Sequence, residues 1–154
     1  MPVADFETAR GILQTAFLAQ WDILHPEVSG VRDVPVAWPN RNFDPHKDFD
    51  SGTQLGWVKF AVLTLPGYAA SSSGAKVRQR TEGFVVVQVF VPSGTGDAVA
   101  VSIADDAVSA LQYKTLSGVV CTEATPLPVG RTDEGFYQIN VTTDFRYDTL
   151  VSTT

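Results

Sequence analysis

The chain has 154 residues, a length that favours one domain spanning 1–154 with a packed core. Hydrophobic residues make up 44%, with 9 Phe and 3 Trp to fill that core, and the single cysteine, Cys121, excludes an internal disulfide or a multi-cysteine zinc site. A formal net charge of −6 argues against nucleic-acid binding, and neither a membrane-length apolar run nor a charged-then-apolar leader is present, so the composition reads as cytosolic and soluble.

Asp5 is placed to cap a first helix running to about His25, with Phe6, Ala9, Leu13, Ala16, Phe17 and Leu24 in one arc and Trp21 at its edge. Pro26 and Gly30 end it. Val34–Trp38 is a short extended piece whose Pro35 suits a sheet edge. Residues 40–56 form a polar loop with few strand-formers. Trp57–Leu65 is a long strand, apolar on both faces except for Lys59 and Thr64. Pro66–Gly74 is rich in Ser, Ala and Gly around one aromatic, Tyr68, and is expected to be a mobile loop.

Lys76–Glu82 resumes as a strand with Lys76, Arg78 and Arg80 on one face. Gly83 then leads into the central strand. There Val85, Val87, Val89 and Val91 alternate with Phe84, Val86, Gln88 and Phe90, so cover is expected on both faces. Pro92–Gly96 breaks the strand, and Asp97 is placed to cap a second helix. Its apolar stripe is Ala100, Val101, Ala104, Ala107, Val108 and Leu111, with Ser102, Asp105, Asp106, Ser109 and Gln112 opposite.

Ser117–Ala124 reads as a short strand, and Pro126, Pro128 and Gly130 as the turn region after it. Phe136–Tyr147 alternates cleanly, with Tyr137, Ile139, Val141, Phe145 and Tyr147 facing one way. The polar tail, 148–154, is expected to fray. These elements make an α+β domain with a mostly antiparallel sheet of about five strands and two helices packed on one face.

Little in the chain suggests catalysis. Gly94-Thr95-Gly96 lies between strand and helix, yet Val99 stands where a dinucleotide fingerprint needs its third glycine, and Asp97 would oppose the phosphates. A turn and a helix cap explain it better. Asp44, His46, Asp48 and Asp50 alternate in the acidic loop, but their spacing matches no calcium loop. His25 fits the helix dipole at the end of the first helix, and Cys121 a small buried hydrophobe. No nucleophile elbow, phosphate loop or zinc-protease signature occurs. The reading is therefore of a non-enzymatic interaction protein without metal or cofactor. A small ligand- or metal-binding domain is the alternative from another class.

The order of elements resembles the tail terminator proteins of long-tailed bacteriophages. The likeness runs from about Phe6 to Tyr147. It begins with Phe17 and Trp21, Pro39-Asn40, Phe43-Asp44-Pro45 and Trp57-Val58-Lys59-Phe60, then Arg80 with Gly83 and Val89-Phe90-Val91-Pro92 before Gly94 and Gly96. Ile103-Ala104-Asp105 with Val108, Gly135-Phe136-Tyr137-Gln138 with Val141, and Phe145 with Tyr147 complete it. The resemblance implies a homo-oligomeric ring, hexameric in the best-known members, at the head-proximal end of the tail. Such a ring stops tube polymerisation and presents a surface for head joining, after assembly in the host cytoplasm. Its implied partners are the tail tube protein and a head-completion or connector protein, with no membrane and no sequence-specific nucleic acid. A neck or head-completion protein is the alternative within structural proteins. On the residues themselves, Tyr68 and the Lys76, Arg78 and Arg80 face are candidate interaction residues, with Asp105 and Asp106 of a neighbouring subunit as counter-charges.

Overall fold

The computed structural model describes Val3 and residues 5–153. Its elements are α1 (Phe6–Leu24), β1 (Glu27–Val28), β2 (Val31–Arg32), β3 (Val36–Ala37), β4 (Trp57–Thr64), β5 (Tyr68–Ser73) and β6 (Lys76–Pro92). After them come α2 (Ala98–Leu111), β7 (Thr115–Leu116), β8 (Val119–Arg131) and β9 (Phe136–Ser152). The fold is α+β. Its main sheet has seven strands rather than five, in the order β3-β4-β6-β9-β8-β7, with β5 added to β6 beside the end of β4. Only β3 and β4 pair in parallel; the other pairs are antiparallel.

Two devices start the helices. The Asp5 carboxylate accepts from Thr8 N at 2.8 Å, which satisfies an orphan amide of α1. Asp97 stands at the N-cap of α2, but its side chain makes no capping bond; its carbonyl accepts from Val101 N at 2.9 Å instead. Ala9, Leu13, Phe17 and Trp21 are the buried stripe of α1. Ala100, Ile103, Ala104, Ala107, Ala110 and Leu111 are that of α2, while Val101 turns out to be exposed. Both stripes share one buried cluster with Val85, Val87, Val89 and Val91 of β6 and Ile139, Val141, Phe145 and Tyr147 of β9. Phe17 anchors its aromatic part, 5.0 Å from the Trp21 ring and 4.9 Å from Phe60.

The opposite face of the sheet is covered at one end only. Trp57 stacks on Phe90 at 4.1 Å, with Phe136 edge-on at 5.8 Å, and Phe43 and Phe49 bring the 40–56 segment down onto them. That segment is polar in composition yet pinned by its two aromatics. Further along the face Phe84 and Val86 are only half-buried and Leu63 is exposed, so the central strand is not covered on both sides.

Strands extend where turns or loose chain are expected. Tyr68–Ser73 is a strand, because β6 offers it a ready ladder from Lys76 to Arg80. The terminal stretch does not end at Tyr147 either: Asp148–Ser152 pairs along the other side of the same residues. Thr154 lies outside the described residues. Pro126, Pro128 and Gly130 sit inside β8 rather than in a turn; the segment is an edge, so a missing N–H leaves no ladder bond unmade. Two small hairpins, β1–β2 and β7–β8, turn on Ser29-Gly30 and Ser117-Gly118, all four at positive φ, the geometry of a type I′ turn.

Gly83 is the one β6 glycine, and its lack of a side chain is structural. A Cβ there would run into the Leu63 carbonyl oxygen and come within 2.8 Å of the Phe145 ring. Gly83→Ala is therefore expected to lower stability by about 1–3 kcal/mol, read from a denaturant midpoint. An unchanged midpoint would mean that the β4 backbone and the Phe145 ring both give way without cost.

Candidate functional site

The residues 76–82 of β6 run beyond the helices. With β5 on one side and residues 148–152 of β9 on the other they form a three-stranded arm. Every residue of β5 is exposed, as are Leu150 and Val151 of β9. A sheet extension without its own core leans on the ladder it grows from, and on whatever later covers it.

Strand alternation places Lys76, Arg78 and Arg80 on one face of this arm, as expected from the sequence. The partner of Arg80 is within the chain. Its Nε and Nη2 donate to the two carboxylate oxygens of Asp148 at 2.8 and 3.1 Å, a bidentate pair across the β6–β9 ladder. The hydrogen bond from Arg80 holds the Asp148 carboxyl below its ordinary value, with the charges of Arg80, Arg78 and Arg146 acting in the same direction. Arg80 is raised in turn, first by that hydrogen bond and then by the carboxylate charge. Arg78 is half-exposed, 4.0 Å from Asp148. Tyr68 Oη donates to Glu82 at 3.0 Å. Between the arm and the β7–β8 turn lies an open groove of roughly 330 Å³, lined by Arg78, Arg80, Arg146, Asp148, Gly118 and Val120 among others.

Asp105 and Asp106 are on α2, away from this groove, and the fold does not bring them to the basic face within one chain. Asp105 is exposed. Asp106 is engaged: its Oδ2 lies 2.8 Å from His25 Nε2, while His25 Nδ1 lies 3.0 Å from Asp33. His25 is buried and so ties the end of α1 to α2 and to the β2–β3 connection, a stronger role than the helix-dipole contact its position suggested. Beside it Arg32 donates to the His25 carbonyl at 2.8 Å and pairs with Asp22 at 2.7 Å. Nothing in local sequence announces these bonds, since His25 and Asp106 are 81 residues apart.

The acidic loop shapes itself. Asp48 accepts from Asp44 N, Asp44 from His46 N, and Asp50 from Gly52 N, all at 2.7–2.9 Å. Among the described residues no group of three or more metal-ligating side chains is gathered. Gly94 and Gly96 have φ of 88° and 83°, and Thr95 Oγ1 closes the turn on the Pro92 carbonyl at 2.9 Å. Cys121 is buried, and burial alone pushes its thiol up to about 11.

A protein-family model described as phage tail terminator protein matches residues 13–145. A solved chain whose name carries no functional description superposes with a TM-score of 0.55 at 16% identity, covering 90% of this chain and 94% of that one. At that identity the likeness speaks for the fold alone. A second solved chain, from the virion of a native gene transfer agent particle, gives a TM-score of 0.47 at 18% identity over 90% of this chain and 96% of that one. No curated protein matches.

Two expected outcomes follow from the charges and the thiol. The Arg80–Asp148 pair is fully formed above the ordinary carboxylate value of 3.8 and is lost as pH falls through the lower native value. An NMR titration of the Arg80 Nε–H should thus show its bonded resonance intact at pH 4 and lost only in stronger acid. A midpoint in the ordinary carboxylate range would contradict the pair. Cys121, ordinarily near 9.0, favours the native state less as pH rises from 9 towards 11, and at pH 8 it should react with a thiol reagent only once the chain is unfolded. Rapid labelling of native protein would show the site to be open.

Proposed function

This chain belongs to the phage tail terminator protein family, and from that premise we propose that it ends the tail tube as a homo-oligomeric ring, most simply a hexamer. The family is one of structural proteins, and the chain is a structural component of a phage tail. In the proposed role the ring sits on the head-proximal end of the tube after assembly in the host cytoplasm. One surface meets the tail tube protein, stopping polymerisation. The other is offered to a head-completion or connector protein.

The observation that supports this reading in the chain itself is the uncovered arm. A sheet extension whose outer strand β5 is exposed throughout, bearing Tyr68, Lys76, Arg78 and Arg80, suits a subunit that completes its packing in an assembly. Because Arg80 and Asp106 are already held within the chain, Lys76 and the half-exposed Arg78, 4.0 Å from Asp148, are the members of the basic face left to meet a neighbour's carboxylates. The role asks for no bond-breaking, no cofactor and no membrane.

The test is direct. Purified chain added to polymerising tail tube protein should halt growth and leave ring density at one tube end by electron microscopy. Tubes that lengthen as if nothing had been added would reject the role.

A further inference from the structure

We propose that the Arg78–Arg146 groove is the receptor for the Asp133–Glu134 turn of a second copy of this chain, so that subunits join head to tail. The proposal deepens the ring reading and rests on it for the closure of the chain of subunits into a ring.

The groove has a surplus of positive charge. Among its lining residues are three guanidiniums, Arg78, Arg80 and Arg146, and only Asp148 offsets them. Arg80 is bound to Asp148 on two nitrogens, which leaves Arg78 and Arg146 exposed with capacity to donate. Both lie on the face opposite the helices, since the β6–β9 register is unbroken from Lys76 to Pro92. The guanidinium fork favours a carboxylate as the group it receives.

The counterpart is the turn between β8 and β9. Thr132 N donates to the Phe136 carbonyl at 2.7 Å, Gly135 adopts φ of 87°, and Ser93 N donates to the Gly135 carbonyl at 3.0 Å. The turn is therefore fixed, and Asp133 and Glu134 project from it, exposed and in no ion pair among the described residues. Arg131 at its base pairs with neither. From Phe136 to Asp148 the strand β9 spans about 40 Å at ~3.3 Å per residue. One subunit cannot reach its own groove, and a contact joining opposite ends of the same strand is heterologous.

The occupant is a second copy for two reasons. Copies of a chain with net charge −6 repel one another, so their contact needs a local site of opposite sign, and this groove supplies it. Exposed apolar residues also flank both ends: Val129, 54% exposed, stands two residues before Arg131 at the base of the turn, and Leu150 and Tyr68, 47% and 48% exposed, pair with Arg78 and Arg80 of the groove. Burying these beside the charge pairs adds association that surface ion pairs alone do not provide.

The test uses the full chain with Arg78→Glu and Arg146→Glu together, and separately with Asp133→Lys and Glu134→Lys together. All four positions are exposed, so circular dichroism should show the fold kept. Self-association is read by sedimentation velocity and by ring density on tube ends. Each pair of reversals should weaken it by about tenfold or more, and the chain carrying all four should recover it. An equimolar mixture of the two variants should recover it as well, because the turn of each is complementary to the groove of the other and to no groove of its own kind. If only the groove reversal acts, the occupant is some other acidic segment or the tube protein, and the proposal is overturned. No effect from either reversal overturns it as well. A wild type that caps tubes but remains a single subunit in solution and on tube ends overturns this inference and spares the capping role. A wild type that assembles through this contact yet leaves tube growth unchanged does the reverse.

Discussion

The fold depends on one ladder. Strands β6 and β9 pair from Lys76↔Ser152 to Pro92↔Phe136 without a bulge, and every other strand of the main sheet is placed by it, directly or through β4 and β8. An unbroken register keeps side-chain parity along the whole length. Val85 and Ile139 stay on the helix side with Phe145 and Tyr147, and Arg78, Arg146 and Asp148 stay on the other. The same ladder holds β5 in place, which has no buried side chain of its own. A one-residue slip of β6 would carry Arg80 to the apolar face, away from Asp148, and the valines to water.

The elements with strong periodicity were readable in the sequence. Phe6–Leu24 begins at the Asp5 cap and buries the expected Ala9, Leu13 and Phe17, although Trp21, expected at the edge of the arc, is fully buried and Phe6, expected within it, is exposed. The alternation of Phe136–Tyr147 gives the correct inward set. What escaped was structure imposed by a neighbour. Tyr68–Ser73 has the composition of a loop and becomes a strand because β6 lends it hydrogen bonds, not because its side chains pack. Asp148–Ser152 is ordered by the same partner. Pro126 and Pro128 argue for a turn unless the segment is known to be an edge, and only the sheet order reveals that. The Ser-Gly dipeptides at 29–30 and 117–118 did carry a hairpin signal, flanked by strands too short to draw notice.

The candidate surface was half legible. Alternation alone finds the Lys76, Arg78 and Arg80 face. It cannot find Arg146 beside them or Asp148 bound to Arg80, which lies 68 residues away. Equally, Asp105 and Asp106 look alike in sequence, while His25 distinguishes them in the fold by engaging one of the two. The family resemblance came from the scatter of aromatic and glycine positions along the whole chain, not from any reacting group. That suits a protein that works by shape.

The 17-residue span of β6 and β9 also has a mechanical side. The arm lies at one end of this pair and the turn holding Asp133 and Glu134 at the other. A pull along the axis from one end to the other therefore loads the interstrand bonds side by side, in shear, instead of opening them one after another like a zip. An α+β domain of modest thermodynamic stability can in this way be stiff along a single direction, the direction in which tension would pass between linked copies.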